Sequence, residues 1–129
     1  MYKTTTYTSI LYLCARNTDM KGHTIGELEE LVLLGVGSLY EQAYALTILE
    51  AIKENTQRML DVTAIHAVLR RLETKGFVSS SMGGATQERG GRRKRYFRLT
   101  QAGIHVLDEI MNVRSALYNK IPRMIFSAN

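Results

Sequence analysis

The chain has 129 residues, 45% of them hydrophobic and 22% charged, proportions that exclude a disordered or low-complexity protein. Its apolar runs are only a few residues long, far short of the roughly 20 needed to cross a bilayer, and its single cysteine excludes an internal disulfide or a cysteine metal cluster. The formal charge of +5 is unevenly spread: from Arg58 to Arg98 ten Lys or Arg stand against three acids (Asp61, Glu73 and Glu88), and positive charge gathered in one segment suits contact with phosphates.

Residues 1–24, rich in Thr and Tyr, read as a lead-in separate from the body. The apolar stretch from Ile10 to Ala15 is at the short limit for a signal peptide, and Arg16 follows where small residues belong. A cytoplasmic home is therefore expected. Helical spacing begins at Glu27, with Leu28, Leu31, Val32, Leu34 and Gly35 recurring every three or four residues. Glu27, Glu29 and Glu30 occupy the first turn, where the helix dipole favours acids. A second amphipathic helix is predicted from about Ala43 to Asn55, marked by Tyr44, Ile48, Leu49 and Ile52. A third is predicted from about Val62 to Lys75, with Ile65, Val68, Leu69 and Leu72 on its buried face. Asp61 suits its N-cap and Gly76 its C-terminal stop.

After Gly76 the period changes to two. Phe77–Met82 and Arg95–Leu99 read as strands, joined by a hairpin loop with four glycines across 83–91. Thr100 then caps a helix predicted from about Gln101 to Ile121, which Pro122 interrupts. The expected fold is mainly α with a two-stranded β-wing: a winged helix-turn-helix over residues 25–100 and a long C-terminal dimerisation helix over 101–129.

That order of elements, with a basic hairpin after the third helix, points to double-stranded DNA. The major groove admits one α-helix, and the third helix would present His66, Arg70, Arg71 and, near its end, Lys75. The run Arg92, Arg93, Lys94, Arg95, Tyr96, Phe97, Arg98 is the most informative stretch. Alternation sends Arg95, Phe97 and Leu99 to one side of a strand and Lys94, Tyr96 and Arg98 to the other. With Phe97 and Leu99 on the body, Lys94 and Arg98 become the candidates for phosphates, in a wing that gives affinity and register more than base choice.

These stretches resemble the PadR family of bacterial winged-helix regulators, its smaller members in particular. The matching pieces are Gly-Glu-Leu-Glu-Glu-Leu-Val-Leu-Leu at 26–34, Ala-Tyr at 43–44 and Leu-Arg-Arg-Leu-Glu-Thr-Lys-Gly-Phe-Val at 69–78. Glu-Arg-Gly-Gly-Arg-Arg-Lys-Arg-Tyr-Phe-Arg-Leu-Thr follows at 88–100, and Gly103 closes the match. The resemblance implies a dimeric regulator, usually a repressor, whose last helix packs against its mate and which responds to small aromatic or drug-like compounds. In the recognition helix the chain departs from the family pattern. Asp61, Thr63 and His66 stand where that pattern has Ser, Gly and a DNA-facing Tyr, which leaves the fold intact and bears on the operator sequence.

The last helix carries more apolar surface than one small body covers. Ile104, Leu107 and Met111 form one row; Val106, Ile110, Val113 and Leu117 form a second. One row would close the core and the other would meet a second copy, so Ile104, Leu107, Ile110, Met111, Leu117, Tyr118 and Ile121 are the expected dimer residues. A two-fold dimer predicts a palindromic site with half-sites one DNA turn apart. Tyr118, Met111, Met124 and Phe126 read either as interface packing or as an adaptable effector pocket.

No enzyme is expected. His23, His66 and His105 lack metal-site spacing, Cys14 has no evident activating partner, and no cofactor is implied. His105 reads as a surface or interface residue. The rival readings are a winged-helix dimer that binds another protein, and a non-specific nucleic-acid binder.

Overall fold

The computed structural model describes residues 25–83 and 93–127. The lead-in over 1–24, most of the glycine-rich loop and Arg92 lie outside them. In chain order the elements are α1 (Glu27–Leu39), a 3-10 turn (Tyr40–Gln42), α2 (Ala45–Thr56), α3 (Val62–Thr74), β1 (Val78–Met82), β2 (Arg95–Leu99), α4 (Gln101–Asn119) and a single-turn α5 (Arg123–Phe126). The expected elements all form, with ends shifted by one or two residues, as fraying termini allow. α4 stops two residues before Ile121, and Pro122 caps α5.

α1, α2 and α3 pack against one another around a single core. α3 contributes Ile65, Val68, Leu69 and Leu72, all buried, as its periodicity predicts. α1 departs from the expected face: Leu33 and Val36 are buried, while Leu34 is exposed. The helix is enclosed on more than one side, by α2, α3, β2 and α4, and its polypeptide is apolar enough from Leu31 to Val36 to allow either face inward.

Local devices bound α3 at both ends and turn the chain into the wing. Asp61 accepts from the Thr63 amide at 3.3 Å and starts the helix. At its end Gly76 adopts φ +83°, a left-handed conformation that costs glycine little. The Gly76 amide donates to the Glu73 carbonyl at 3.0 Å and the Phe77 amide to the Leu72 carbonyl at 2.9 Å, which is a Schellman closure. β1 and β2 then pair antiparallel in the register Val78↔Leu99 through Met82↔Arg95. The other edge of β2 is also engaged, because the Phe97 amide donates to the Ala43 carbonyl at 2.9 Å.

Thr100 fastens the start of α4 to the same corner. Its hydroxyl donates to the Gly76 carbonyl at 2.6 Å and accepts from the Gly103 amide at 3.1 Å. Thr100→Ala removes the helix cap and the tie to the end of α3, and is expected to cost about 1–2 kcal/mol, read as a lower midpoint in urea denaturation.

α4 corrects the two-row expectation. Val106 and Leu107 are both buried in the monomer core, and Ile104, Ile110 and Met111 are half-buried, whereas Val113, Leu117, Tyr118 and Ile121 are exposed. The division runs along the helix rather than around it. A helix of 19 residues is about 28 Å long; its apolar packing on the body ends near Met111, and Arg114 Nη2 still donates to Glu30 Oε1 of α1 at 2.7 Å. Leu107, expected at the dimer interface, is buried on its own protomer. His105, expected at the surface or in an interface, is buried within the protomer, with Nε2 3.4 Å from Glu109 Oε2 one turn on.

Candidate nucleic-acid interface

With four apolar residues of α3 turned inward, the helix periodicity leaves Thr63, His66, Ala67 and Arg70 on its exposed side. β2 lies alongside, and its alternation buries Phe97 and leaves Arg95 and Arg98 exposed on opposite sides of the strand. His66, Arg70 and Glu73 of α3 and Arg95 of β2 line a polar cleft of about 310 Å³, floored by Leu69 and Phe97. The helix and the wing thus share one surface.

Within the cleft Arg95 is held. Its Nε donates to Ser80 Oγ at 3.2 Å, and the Ser80 hydroxyl donates to Glu73 Oε2 at 2.7 Å. At the outer end of the wing, Lys94 Nζ lies 3.2 Å from Tyr44 Oη and 4.4 Å from that ring's centroid, a cation–π contact. Tyr44 in turn meets Tyr96 edge to face, with centroids 5.5 Å apart. Lys94 and Tyr96 therefore brace the wing against the start of α2. Arg93 is exposed.

The other residues expected on this surface point elsewhere. Arg98 lies over an apolar recess of about 290 Å³ lined by Val36, Gly37, Tyr40, Leu99 and Ile104, away from the α3 cleft. Arg71 and Lys75 turn toward α1: Arg71 Nε donates to Glu29 Oε2 at 3.2 Å, and Lys75 Nζ reaches both Glu29 oxygens at 3.0 and 3.1 Å. Glu29 is buried, and a buried carboxylate draws any cation within reach. Of the expected set, the structure brings together His66, Arg70 and Arg95 and directs Arg71 and Lys75 to the fold.

Sequence reasoning missed Glu73 and Ser80, whose roles depend on cross-strand register, and Tyr44, which spacing marks only as a core position. Ser80 opposite Phe97 would follow from pairing the strands on their apolar residues, a signal present in the chain.

A second exposed feature is the far end of α4 with α5. Val113, Leu117, Tyr118, Met124, Ile125 and Phe126 are each about half exposed or more, and the Tyr118 and Phe126 rings lie 5.5 Å apart. Among the described residues, no helix is long and apolar enough to cross a membrane.

Comparison with known proteins agrees with this architecture. The model of the transcriptional regulator PadR-like family matches residues 33–109, more than half of the chain. No curated protein matches by sequence. Among solved structures, a PadR-like transcription factor from Bacteroides fragilis is 24% identical, with a TM-score of 0.62 over 73% of this chain and 85% of its own. A PadR-like transcriptional regulator from Bacillus cereus is 15% identical, with a TM-score of 0.62 over 82% of this chain and 94% of its own. PadR of Bacillus subtilis, solved in complex with operator DNA, is 18% identical, with a TM-score of 0.54 over 66% of this chain and 46% of its own.

Proposed function

Because the chain belongs to the transcriptional regulator PadR-like family, we propose that it acts as a homodimeric repressor that reads a palindromic DNA site. The observation that carries this reading is the shared surface of α3 and the wing, where His66, Arg70 and Arg95 converge on one cleft. In it α3 enters the major groove, with His66 and Arg70 at base edges. The wing, with Arg93 and Arg95, lies against the sugar-phosphate backbone and sets register. Support for DNA as the partner comes also from the PadR of Bacillus subtilis, which was solved with operator DNA.

Dimerisation is assigned to the exposed end of α4 and to α5. An apolar group of this kind on a small body calls for cover, and a two-fold interface is the commonest way to give it. The same group, which holds Met124 beside the rings of Tyr118 and Phe126, suits a small aromatic or drug-like effector seated between protomers. Adaptable thioethers and flat rings tolerate ligands of varied shape.

The test is enrichment of random duplexes by the purified protein, followed by titration of the winner. A palindrome is expected, with affinity that falls steeply as salt rises. Arg70→Ala should blur base preference at one position of each half-site, a loss of about tenfold or more in discrimination. No enrichment, with salt-insensitive or absent DNA binding, would overturn the reading and favour a protein partner.

A further inference from the structure

The hydrogen bonds around Arg95 have a direction. A serine hydroxyl owns one hydrogen, and that of Ser80 goes to Glu73 Oε2 at 2.7 Å. Its oxygen is left to accept from Arg95 Nε at 3.2 Å. The relay uses one of the five N–H groups of the guanidinium, and the other four make no hydrogen bond among the described residues. Glu73 and Arg95 form no direct ion pair among those residues, so the carboxylate orients the arginine through the hydroxyl without covering its outer edge. That edge shares the cleft with Arg70 and His66, above Leu69 and Phe97.

We propose that this cleft seats one backbone phosphate of DNA on Arg95 of the wing, beside the base-reading Arg70 of α3. Ser80 and Glu73 are the positioning residues that set the aim of Arg95. The proposal rests on the DNA-binding reading above and adds to it which phosphate seat is built into the fold and what builds it. A helix lying in the major groove has the sugar-phosphate wall rising beside it, and the space between α3 and β2 is where that wall must pass. Two guanidinium groups outweigh the single carboxylate, whose charge is already engaged by a hydroxyl. The planar fork of an arginine matches two oxygens of a phosphodiester at once. An arginine held in place before the encounter has less rotamer freedom to lose on binding.

The experiment titrates the full chain against a mixed-sequence duplex about three helical turns long, over a series of salt concentrations. Wild type should give a linear fall of log affinity with log salt, and Arg95→Ala should reduce that slope by about 0.9 for each phosphate that Arg95 neutralises. Ser80→Ala leaves the charge unchanged, yet should weaken binding several-fold with an unaltered melting curve. Ser80→Thr, which keeps the hydroxyl, should restore the affinity. On the Arg95→Ala background, Ser80→Ala should have no further effect, because its only route to DNA is then gone. Wild-type affinity in Ser80→Ala overturns the positioning role, as does an undiminished loss on the Arg95→Ala background. An unchanged salt slope in an Arg95→Ala protein that still binds overturns the phosphate seat alone. A wild-type chain that binds no duplex at any salt overturns the DNA reading itself.

Discussion

Gly103→Ala is expected to destabilise the protein strongly, so that it unfolds at a much lower urea concentration than the wild type. Alanine is ordinarily the better helix residue, by roughly 1 kcal/mol, and Gly103 is the third residue of α4. At this position, however, an added Cβ would overlap the carbonyl oxygen of Phe77 and come within 3.1 Å of its carbonyl carbon. The obstacle is backbone, which cannot rotate away as a side chain does. It is also pinned: the Phe77 amide donates to the Leu72 carbonyl, its carbonyl accepts from the Thr100 amide at 3.1 Å, and the residue is 3% exposed. Relief requires lifting α4 from the wing, which breaks the Thr100 ties and opens the core at Val106 and Leu107. The expected loss is about 3 kcal/mol or more, a large share of the roughly 5–15 kcal/mol that holds such a domain. Gly26→Ala is the control, because nothing lies within 4 Å of the added Cβ there. Urea denaturation of both variants decides the matter, and a Gly103→Ala protein within about 1 kcal/mol of wild type would sink this account of the corner.

Much of this is legible in the chain, and the parts that are not share a cause. α3 and β2 can be placed from spacing because each has one buried face and marked ends, Asp61 and Gly76 for the helix, Phe97 and Thr100 for the strand. Spacing misplaces Leu34 because the run from Leu31 to Val36 is apolar throughout, and period alone does not choose a face within it. α4 reads as two rows because a one-dimensional pattern carries angle but not depth. Where the body ends along a helix is set by the elements beneath it. The site divides in the same way. His66 and Arg70 follow from the helical period, but Arg71 and Lys75 differ from Arg70 only in their neighbour, a carboxylate 42 and 46 residues earlier in the chain. Glu29 reads from sequence as an acid favoured by the helix dipole. Its burial, and hence its hold on two cations, is a product of how α1 and α3 pack.

That hold gives the second large effect. Glu29 accepts from the Gly26 amide at 3.0 Å, from Arg71 and from Lys75, and its side chain is only 8% exposed. Burial is the largest single influence and pushes its pKa up. The Gly26 amide, Lys75 and Arg71 together outweigh it and hold the carboxyl below its ordinary value of 4.5. Glu29→Ala leaves an amide and the largely buried Lys75 ammonium without this acceptor and is expected to cost about 2–3 kcal/mol. Glu29→Gln keeps an oxygen for the cap and should cost less.

The pH dependence has a definite sign. The unfolded carboxylate takes up protons at higher pH than the folded one, so the contribution of Glu29 is complete above the ordinary value and is lost as pH falls through the lowered one. Wild-type stability should decline through that acidic window, whereas Glu29→Gln should follow a flatter profile, the two curves converging at the acid end. Denaturant midpoints measured from neutral pH down through that window test it, and parallel curves would contradict it. The same variant also separates two roles for Arg71 and Lys75. As anchors of α3 they yield a less stable protein with no gain in DNA affinity, the result expected here. As phosphate ligands merely parked on Glu29, they would bind DNA more tightly once the carboxylate is gone.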